Sequence, residues 1–200
     1  MTFNCTKGSA FAINKGIQRI IVGLGWDSSK TTKPIDIDAH AFGCVVRNGS
    51  PSFFNDASHA VTYANGALKK GANKSFGTAD DSMIHTGDNR TGAGDGDDEQ
   101  IKIALDKLPA DIEEILIFIT IHEAAARAQH FGLIDNSYVS IRDEDANAEL
   151  CRYNLRQEFD GTITIQVGSL TKENGGMWKF NAVGAGTSSE SLEDILSKLS

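Results

Sequence analysis

Residues Ile115-Leu116-Ile117-Phe118-Ile119-Thr120-Ile121 form an apolar run that contains a single threonine and is bounded by polar residues. A run of this length, rich in β-branched side chains, predicts a strand that is buried on both faces. We therefore expect this segment to be the core strand of an interior that has packed residues on both sides of it.

Shorter segments with strand patterns lie on both sides of this run. Four precede it: Ile17–Trp26, Ile35–Val46, Ser52–Asn55 and Gln100–Leu105. Four follow it: Ser137–Arg142, Glu149–Leu155, Thr162–Leu170 and Met177–Val183. The segments between them carry turn-forming residues, among them Asn48-Gly49, Asp160-Gly161 and Asn174-Gly175-Gly176.

Helix patterns are few. Residues Glu123–Gln129 are strong helix formers, and Ser191–Leu199 is amphipathic, with four aliphatic side chains on one face. About nine closely spaced strands with so few helices predict a mainly β protein, an antiparallel β-sandwich with a few short helices and a C-terminal helix. No repeat or linker divides the chain, so we expect residues 1–200 to form a single domain.

Composition restricts the partners. The net charge of −8 argues against direct binding to a nucleic-acid backbone and favours cations as ligands. Cys5, Cys44 and Cys151 are scattered and odd in number, which is typical of a reducing compartment and predicts no disulfide framework. No apolar run is long enough to span a membrane, and the first ten residues lack the pattern of a signal peptide. We therefore expect a cytoplasmic protein without a transmembrane segment.

The most unusual stretch is GDNRTGAGDGDDE, from Gly87 to Glu99, which places five carboxylates and one asparagine among four glycines. Ionised carboxylates this close repel one another unless a cation lies between them. Calcium takes six to eight oxygen ligands in irregular geometry, and glycines let a loop turn its oxygens toward one centre. The stretch therefore predicts a calcium site.

Two observations leave alternatives open for this stretch. Acidic, glycine-rich segments are usually solvated loops, and a glutamate after such a loop can simply cap a helix. The EF-hand pattern does not fit either, because Arg90 and Gly92 stand at ligand positions and Ala93 replaces the turn glycine. A calcium loop here is of another kind.

Asp36 and Asp38 alternate with apolar residues, so a strand would place both carboxylates on one face. Such a pair is either an exposed strand face or half of an oxygen-rich site. His40 extends the same face, although imidazole is a poor calcium ligand.

Several of these strings together resemble the TerD family of tellurium-resistance and stress-response proteins. The most specific are GDNRTG at 87–92 and GDGDDE at 94–99, and GLGWD at 23–27, IDIDA at 35–39, Arg152-Tyr153 and Trp178-Lys179-Phe180 agree with them. The resemblance covers nearly the whole chain. This sequence departs from the family pattern between Ala57 and Asp81, where the corresponding segment of family members is much shorter.

The resemblance implies a cytoplasmic calcium-binding β-sandwich that holds two Ca²⁺ ions. Carried over residue by residue, it implies that the metal ligands are Asp36, Asp38, Asp88, Asn89, Asp95, Asp97, Asp98 and Glu99. It also implies that the partners are other proteins of the tellurite-resistance (Ter) system, including a membrane-bound one.

Two functions remain open on the sequence. The first is a calcium-binding stress-response module that acts by calcium-dependent binding or scaffolding and is not an enzyme. The alternative is a metal-dependent phosphohydrolase or nucleotide-binding protein that uses the same acidic loop, with His85 or His40 as a general base. The sequence contains no recognisable nucleophile–base string, which favours the first.

Overall fold

The computed structural model describes residues 2–27, 33–63, 77–92, 96–155, 159–188 and 191–200. These residues form thirteen strands, which in chain order are β1 (Phe3–Cys5), β2 (Ala10–Ala12), β3 (Arg19–Asp27), β4 (Ile37–Arg47), β5 (Ser50–Phe53), β6 (Ala60–Val61), β7 (Met83–His85), β8 (Glu99–Ala104), β9 (Glu114–Ile121), β10 (Asp135–Asp143), β11 (Ala148–Asn154), β12 (Thr164–Lys172) and β13 (Trp178–Thr187). They also form the helices α1 (Ala124–Arg127) and α2 (Leu192–Leu199) and a 3-10 turn at Phe131–Leu133.

The strands build two sheets. A six-stranded sheet has the order β1-β11-β10-β3-β8-β7, and a seven-stranded sheet has the order β2-β13-β12-β9-β4-β5, with β6 also paired to β4. Neighbouring strands are antiparallel except β1 and β11, which are parallel. The predicted fold class, a mainly β antiparallel sandwich with a C-terminal helix, is confirmed.

The apolar run at 115–121 forms most of β9, between β4 and β12 at the centre of the larger sheet. Ile117 and Ile119 face the main core between the sheets. Leu116 faces the opposite side, where Ile195 and Leu199 of α2 pack on it. The prediction of a strand buried on both faces is therefore confirmed, because α2 covers the side that the second sheet does not reach.

The hairpin between β4 and β5 follows the predicted turn. Arg47 pairs with Ser50, and Asn48 and Gly49 have φ values of 53° and 80°. Positive φ at both central positions is the geometry that an Asn-Gly turn adopts most easily.

Sequence patterns missed four strands, namely β1, β2, β6 and β7. Each has two or three residues, too few to display an alternating pattern. The long segment Asp56–Ser82, to which the sequence patterns assigned no function, contains β6. Residues 64–76 of this segment lie outside the described residues. No helix among the described residues has the length and apolar character needed to cross a bilayer.

The prediction that the chain lacks disulfides is wrong. Cys5 and Cys151 form a disulfide between β1 and β11, with their Cα atoms 6.4 Å apart. A separation of 146 residues hid this pair, because only the pairing of β1 with β11 brings the two cysteines together. Cys44 is a free, buried thiol.

Candidate metal centre

Three carboxylates meet where β4 begins. Asp38 pairs with Thr120 of β9, and the carbonyl of Asp36 accepts a hydrogen bond from the backbone N–H of His122 at 2.9 Å. These contacts fix the backbone on both sides of Ile37 against the end of the core strand. Asp88, from the loop between β7 and β8, completes the group. One oxygen from each of Asp36, Asp38 and Asp88 lies within 4.8 Å of the other two.

Two of these carboxylates are buried and have oxygens without a hydrogen bond. Asp36 is 7% exposed and Asp38 is 2% exposed, and Asp36 Oδ1 and Asp38 Oδ2 have no hydrogen-bond partner among the described residues. Among the described residues, the basic side chain that comes within 4.0 Å of Asp38 Oδ2 is His122, through its Nδ1. Because burying an unpaired carboxylate is costly, these two oxygens need either a proton or a cation.

The pKa values of the two groups reflect this burial. Loss of solvent, together with the charges of Glu99, Asp36 and Asp88, raises the pKa of Asp38 to about 8. Burial and the charge of Asp88 also raise the pKa of Asp36, although His122, Arg127 and Arg90 oppose that shift. Without a cation, Asp38 therefore holds a proton near neutral pH.

The three carboxylates open into a cavity of about 540 Å³. Three basic side chains also line this cavity, namely Lys33, Arg90 and Arg127, and the rings of Tyr63 and His122 form part of its wall. Among the described residues, the lining therefore carries three acidic side chains and three from lysine or arginine.

Glu99 is next to the three carboxylates, but both of its oxygens are engaged. Its Oε2 accepts hydrogen bonds from the backbone N–H of Ala39 at 2.8 Å and from His85 Nε2 at 3.2 Å. Its Oε1 accepts from the backbone N–H of Asn89 at 3.2 Å. Since Glu99 begins β8 in one sheet and Ala39 lies in β4 of the other, this side chain joins the two sheets beside the site.

Asn89 and Asp98 hold the loop in place. Asn89 Oδ1 accepts hydrogen bonds from the backbone N–H groups of Thr91 and Gly92, at 3.1 and 3.2 Å. Asn89 Nδ2 donates to Asp98 Oδ1 at 3.0 Å, and Asp98 Oδ2 accepts from the backbone N–H of Trp26 at 2.9 Å. Asn89 Oδ1 thus closes the turn within the loop, while Asn89 Nδ2 and the carboxylate of Asp98 connect the loop to β3.

Asp97 points away from the three carboxylates, onto the outer face of the six-stranded sheet. It accepts hydrogen bonds from the hydroxyl of Tyr138 at 3.0 Å and from Gln100 Nε2 at 3.2 Å. Gly23 leaves the space for it, because a Cβ on Gly23 would lie 2.3 Å from Asp97 Oδ2. Asp95, the remaining predicted ligand, lies outside the described residues.

The predicted general bases do not line the cavity. Burial, with a smaller contribution from His85, lowers the pKa of His40 to about 3, and its Nε2 is 2.9 Å from Thr120 Oγ1. His85 is buried against Glu99. His122 and Arg127 were not among the predicted site residues, and their positions beside Asp36 follow from the pairing of β9 with β4. No local pattern marks them.

The donor set suits a hard divalent cation. Three carboxylates offer charged oxygens, two of them buried with unsatisfied atoms, and the group contains no thiolate. Calcium and magnesium prefer such oxygen ligands, and the irregular loop fits calcium better because magnesium requires nearly ideal octahedral geometry. The residues present therefore fit the cation that the resemblance implies.

Comparison with known proteins agrees with the fold and with the resemblance seen in the sequence. The family model described as TerD domain matches residues 1–199. Tellurium resistance protein TerD of Alcaligenes sp is 38% identical over 190 residues, which cover 93% of this chain and 91% of that protein. General stress protein 16U of Bacillus subtilis (strain 168) is 39% identical over 193 residues, with 93% and 91% covered.

Among solved structures, a homologue of telluride resistance protein (TerD) from Streptomyces coelicolor A3(2) superimposes with a TM-score of 0.63 at 22% identity. The superposition covers 89% of this chain and 95% of that one, and it supports the fold. The match to the family model and the two relatives together establish that the chain belongs to the TerD family.

Proposed function

We propose that this protein is a calcium-binding module of the Ter stress-response system and that it acts by cation-dependent binding of a partner. The single observation that carries the cation site is that the buried carboxylates Asp36 and Asp38, each with an oxygen that has no hydrogen-bond partner among the described residues, lie beside Asp88. One oxygen from each of the three groups lies within 4.8 Å of the other two. Relatives named for tellurium resistance and for general stress support the stress-response setting. Relatives named TerX and TerZ support a Ter-system context for the partners.

Asp36, Asp38 and Asp88 would hold the ion, and backbone carbonyls and water would supply the remaining oxygens that calcium needs. A bound calcium would neutralise the mutual repulsion of the three carboxylates. Ligand binding to the folded state alone should stabilise the protein by roughly 2.7 kcal/mol at a hundredfold excess over the dissociation constant.

The positions of His40 and His85, the two general bases that the sequence predicted, favour binding over catalysis. His40 and His85 are buried and hydrogen-bonded beneath the site, so neither faces the cavity where a substrate would lie. The cytoplasmic location and the second calcium ion remain predictions from the sequence.

The test is a calorimetric titration of metal-stripped protein with calcium and, separately, with magnesium. We expect calcium to bind more tightly than magnesium and Asp88→Asn to weaken calcium binding by about tenfold or more. Asp111→Asn is the matched control, because it removes the same charge from an exposed residue near the opposite end of β9. Absence of calcium binding, or a preference for magnesium together with phosphate-ester hydrolysis, would contradict the proposal.

An Asp97→Asn variant adds information on the number of ions. Unchanged calcium stoichiometry and affinity in this variant would assign binding to Asp36, Asp38 and Asp88. Loss of one of two calcium ions would place a second ion beside Asp97, as the resemblance implies.

A further inference from the structure

We propose that the cavity over Asp36, Asp38 and Asp88 binds a phosphate-bearing small molecule, that Arg90 and Arg127 are its anion-binding side chains, and that this binding requires the divalent cation. The inference rests on the proposed function, since it assumes a cation on the three carboxylates. It names the chemical class of ligand that the same site then takes.

The charge of the cavity favours an anion once the cation is bound. Among the described residues, the lining has three carboxylates and three basic side chains, which balance one another when all are ionised. A divalent cation on the carboxylates makes this described lining positive, even though Glu123 offsets the charge of Arg127. The cavity then attracts an anion that the three carboxylates would otherwise repel.

The hydrogen bonds of Arg90 and Arg127 leave guanidinium N–H groups available to an anion. Arg90 donates through Nε to Asp88 Oδ2 at 3.0 Å, while its side chain is 77% exposed and its terminal nitrogens have no partner among the described residues. Arg127 donates through Nε and Nη2 to Glu123 Oε2, at 3.1 and 2.8 Å. A planar guanidinium with free N–H groups matches the geometry of phosphate oxygens better than an ammonium does.

The contact between Arg90 and Asp88 couples the binding of the cation to the binding of the anion. In the cation-free protein Arg90 neutralises Asp88, which belongs to the carboxylate group that holds the cation. A cation that takes over Asp88 releases the guanidinium of Arg90 for an incoming anion. By thermodynamic linkage, the cation and the anion then raise each other's affinity by the same factor.

The cavity is large enough for an organic phosphate. A volume of about 540 Å³ lies within the range of small-molecule sites and is large enough for more than an inorganic ion. Tyr63 and His122, in edge-to-face contact with ring centroids 5.7 Å apart, provide an aromatic wall for the organic part of such a ligand.

The test is calorimetric titration with ADP at a fixed, saturating concentration of free calcium and again in EGTA. We expect calcium to tighten ADP binding by about tenfold or more and adenosine, which lacks phosphate, not to bind. The double variant Arg90→Gln/Arg127→Gln should lose this ADP binding and should bind calcium at least as tightly as the unaltered protein does, because Arg90 no longer competes with the cation for Asp88. Arg47→Gln, at the far end of β4, is the control and should behave as the unaltered protein does.

Binding to vesicles of phosphatidylcholine with phosphatidic acid distinguishes a lipid headgroup from a soluble phosphate compound as the ligand. Calcium-dependent binding to these vesicles but not to ADP, lost in the double variant, would support the same site with a lipid headgroup as ligand. Calcium binding without any binding of ADP or vesicles would overturn this inference and leave the proposed function intact. ADP binding that persists in EGTA or in the double variant would also overturn it. Absence of calcium binding would overturn both proposals.

Discussion

At the scale of single residues, the acidic side chains of the site differ in what their oxygens contact. Glu99 and Asp98 accept hydrogen bonds from backbone N–H groups on both sides of the site, and they position the loop. Asp36 and Asp38 keep buried oxygens without a hydrogen-bond partner among the described residues. The first pair therefore positions the loop, and its role as metal ligands stays a prediction, while the second pair has oxygens available to a cation.

Replacing Asp38 with asparagine should reduce the pH dependence of the free energy of unfolding of the metal-free protein. The pKa of Asp38 is about 8 in the folded protein against a usual value of 3.8, so between these pH values the folded state holds a proton that the unfolded chain releases. The free energy of unfolding therefore falls as pH rises through this window. Urea unfolding in EDTA should show a shallower fall for Asp38→Asn and, at pH 8, a gain on the order of a few kcal/mol. Parallel pH profiles for variant and unaltered protein would contradict this assignment.

Asp98→Ala should destabilise the protein through the fold. It leaves the backbone N–H of Trp26 and the side-chain amide of Asn89 without their acceptor, which costs about 1–3 kcal/mol for a buried donor. We expect this loss in denaturant unfolding in EDTA, where cation binding makes no contribution. Equal stability of variant and unaltered protein in EDTA would show that Asp98 acts only through a bound cation.

At the scale of elements, the pairing of β4 with β9 brings His122 beside Asp36 and Asp38, and the loop after β7 adds Asp88. That loop is held against β3 by a close contact. Gly92 has a φ of 60°, and a Cβ there would lie 2.4 Å from Trp26 Nε1 and 2.7 Å from the carbonyl oxygen of Trp26.

Gly92→Ala should therefore move the loop that carries Asp88 and weaken calcium binding, with a loss of stability of about 1–3 kcal/mol. Gly96→Ala is the matched control, because Gly96 also has a positive φ, 95°, but nothing lies within 4 Å of a Cβ there. Both variants share the conformational penalty of positive φ, so the difference between them measures the contact with Trp26. Equal calcium affinity and equal stability of the two variants would contradict the role of this contact.

At the scale of the whole molecule, the disulfide between Cys5 and Cys151 ties the short first strand to β11 across 146 residues of chain. Among the strands that the structure describes, the three-residue strand β1 pairs in its sheet with β11 alone. A cross-link over such a long loop restricts the unfolded chain strongly.

Reduction should lower the free energy of unfolding by about 2–5 kcal/mol. The measurement is denaturant unfolding with and without dithiothreitol, and the double variant Cys5→Ser/Cys151→Ser serves as control because the reductant should not affect it. Alkylation of the unfolded, non-reduced protein followed by mass spectrometry should modify one cysteine, Cys44. Modification of all three cysteines would show that the disulfide does not form.

The amino-acid sequence was enough to predict the fold class, the core strand at 115–121, the Asn48-Gly49 turn and the C-terminal helix. Each depends on a local pattern, either the period of apolar residues or a turn pair, which neighbours in the chain suffice to display. The same holds for the oxygen-rich character of the acidic loop, which composition alone reveals.

Only the tertiary structure decided which acidic residues meet. Asp97 and Asp98 are adjacent in sequence, yet Asp97 lies over Gly23 on the outer face of a sheet while Asp98 binds the backbone of Trp26. The disulfide and the approach of His122, Arg90 and Arg127 to the carboxylates likewise depend on strand pairs and loops that are distant in the chain. Local periodicity contains no information on those pairings, because they are selected by packing between segments far apart in sequence.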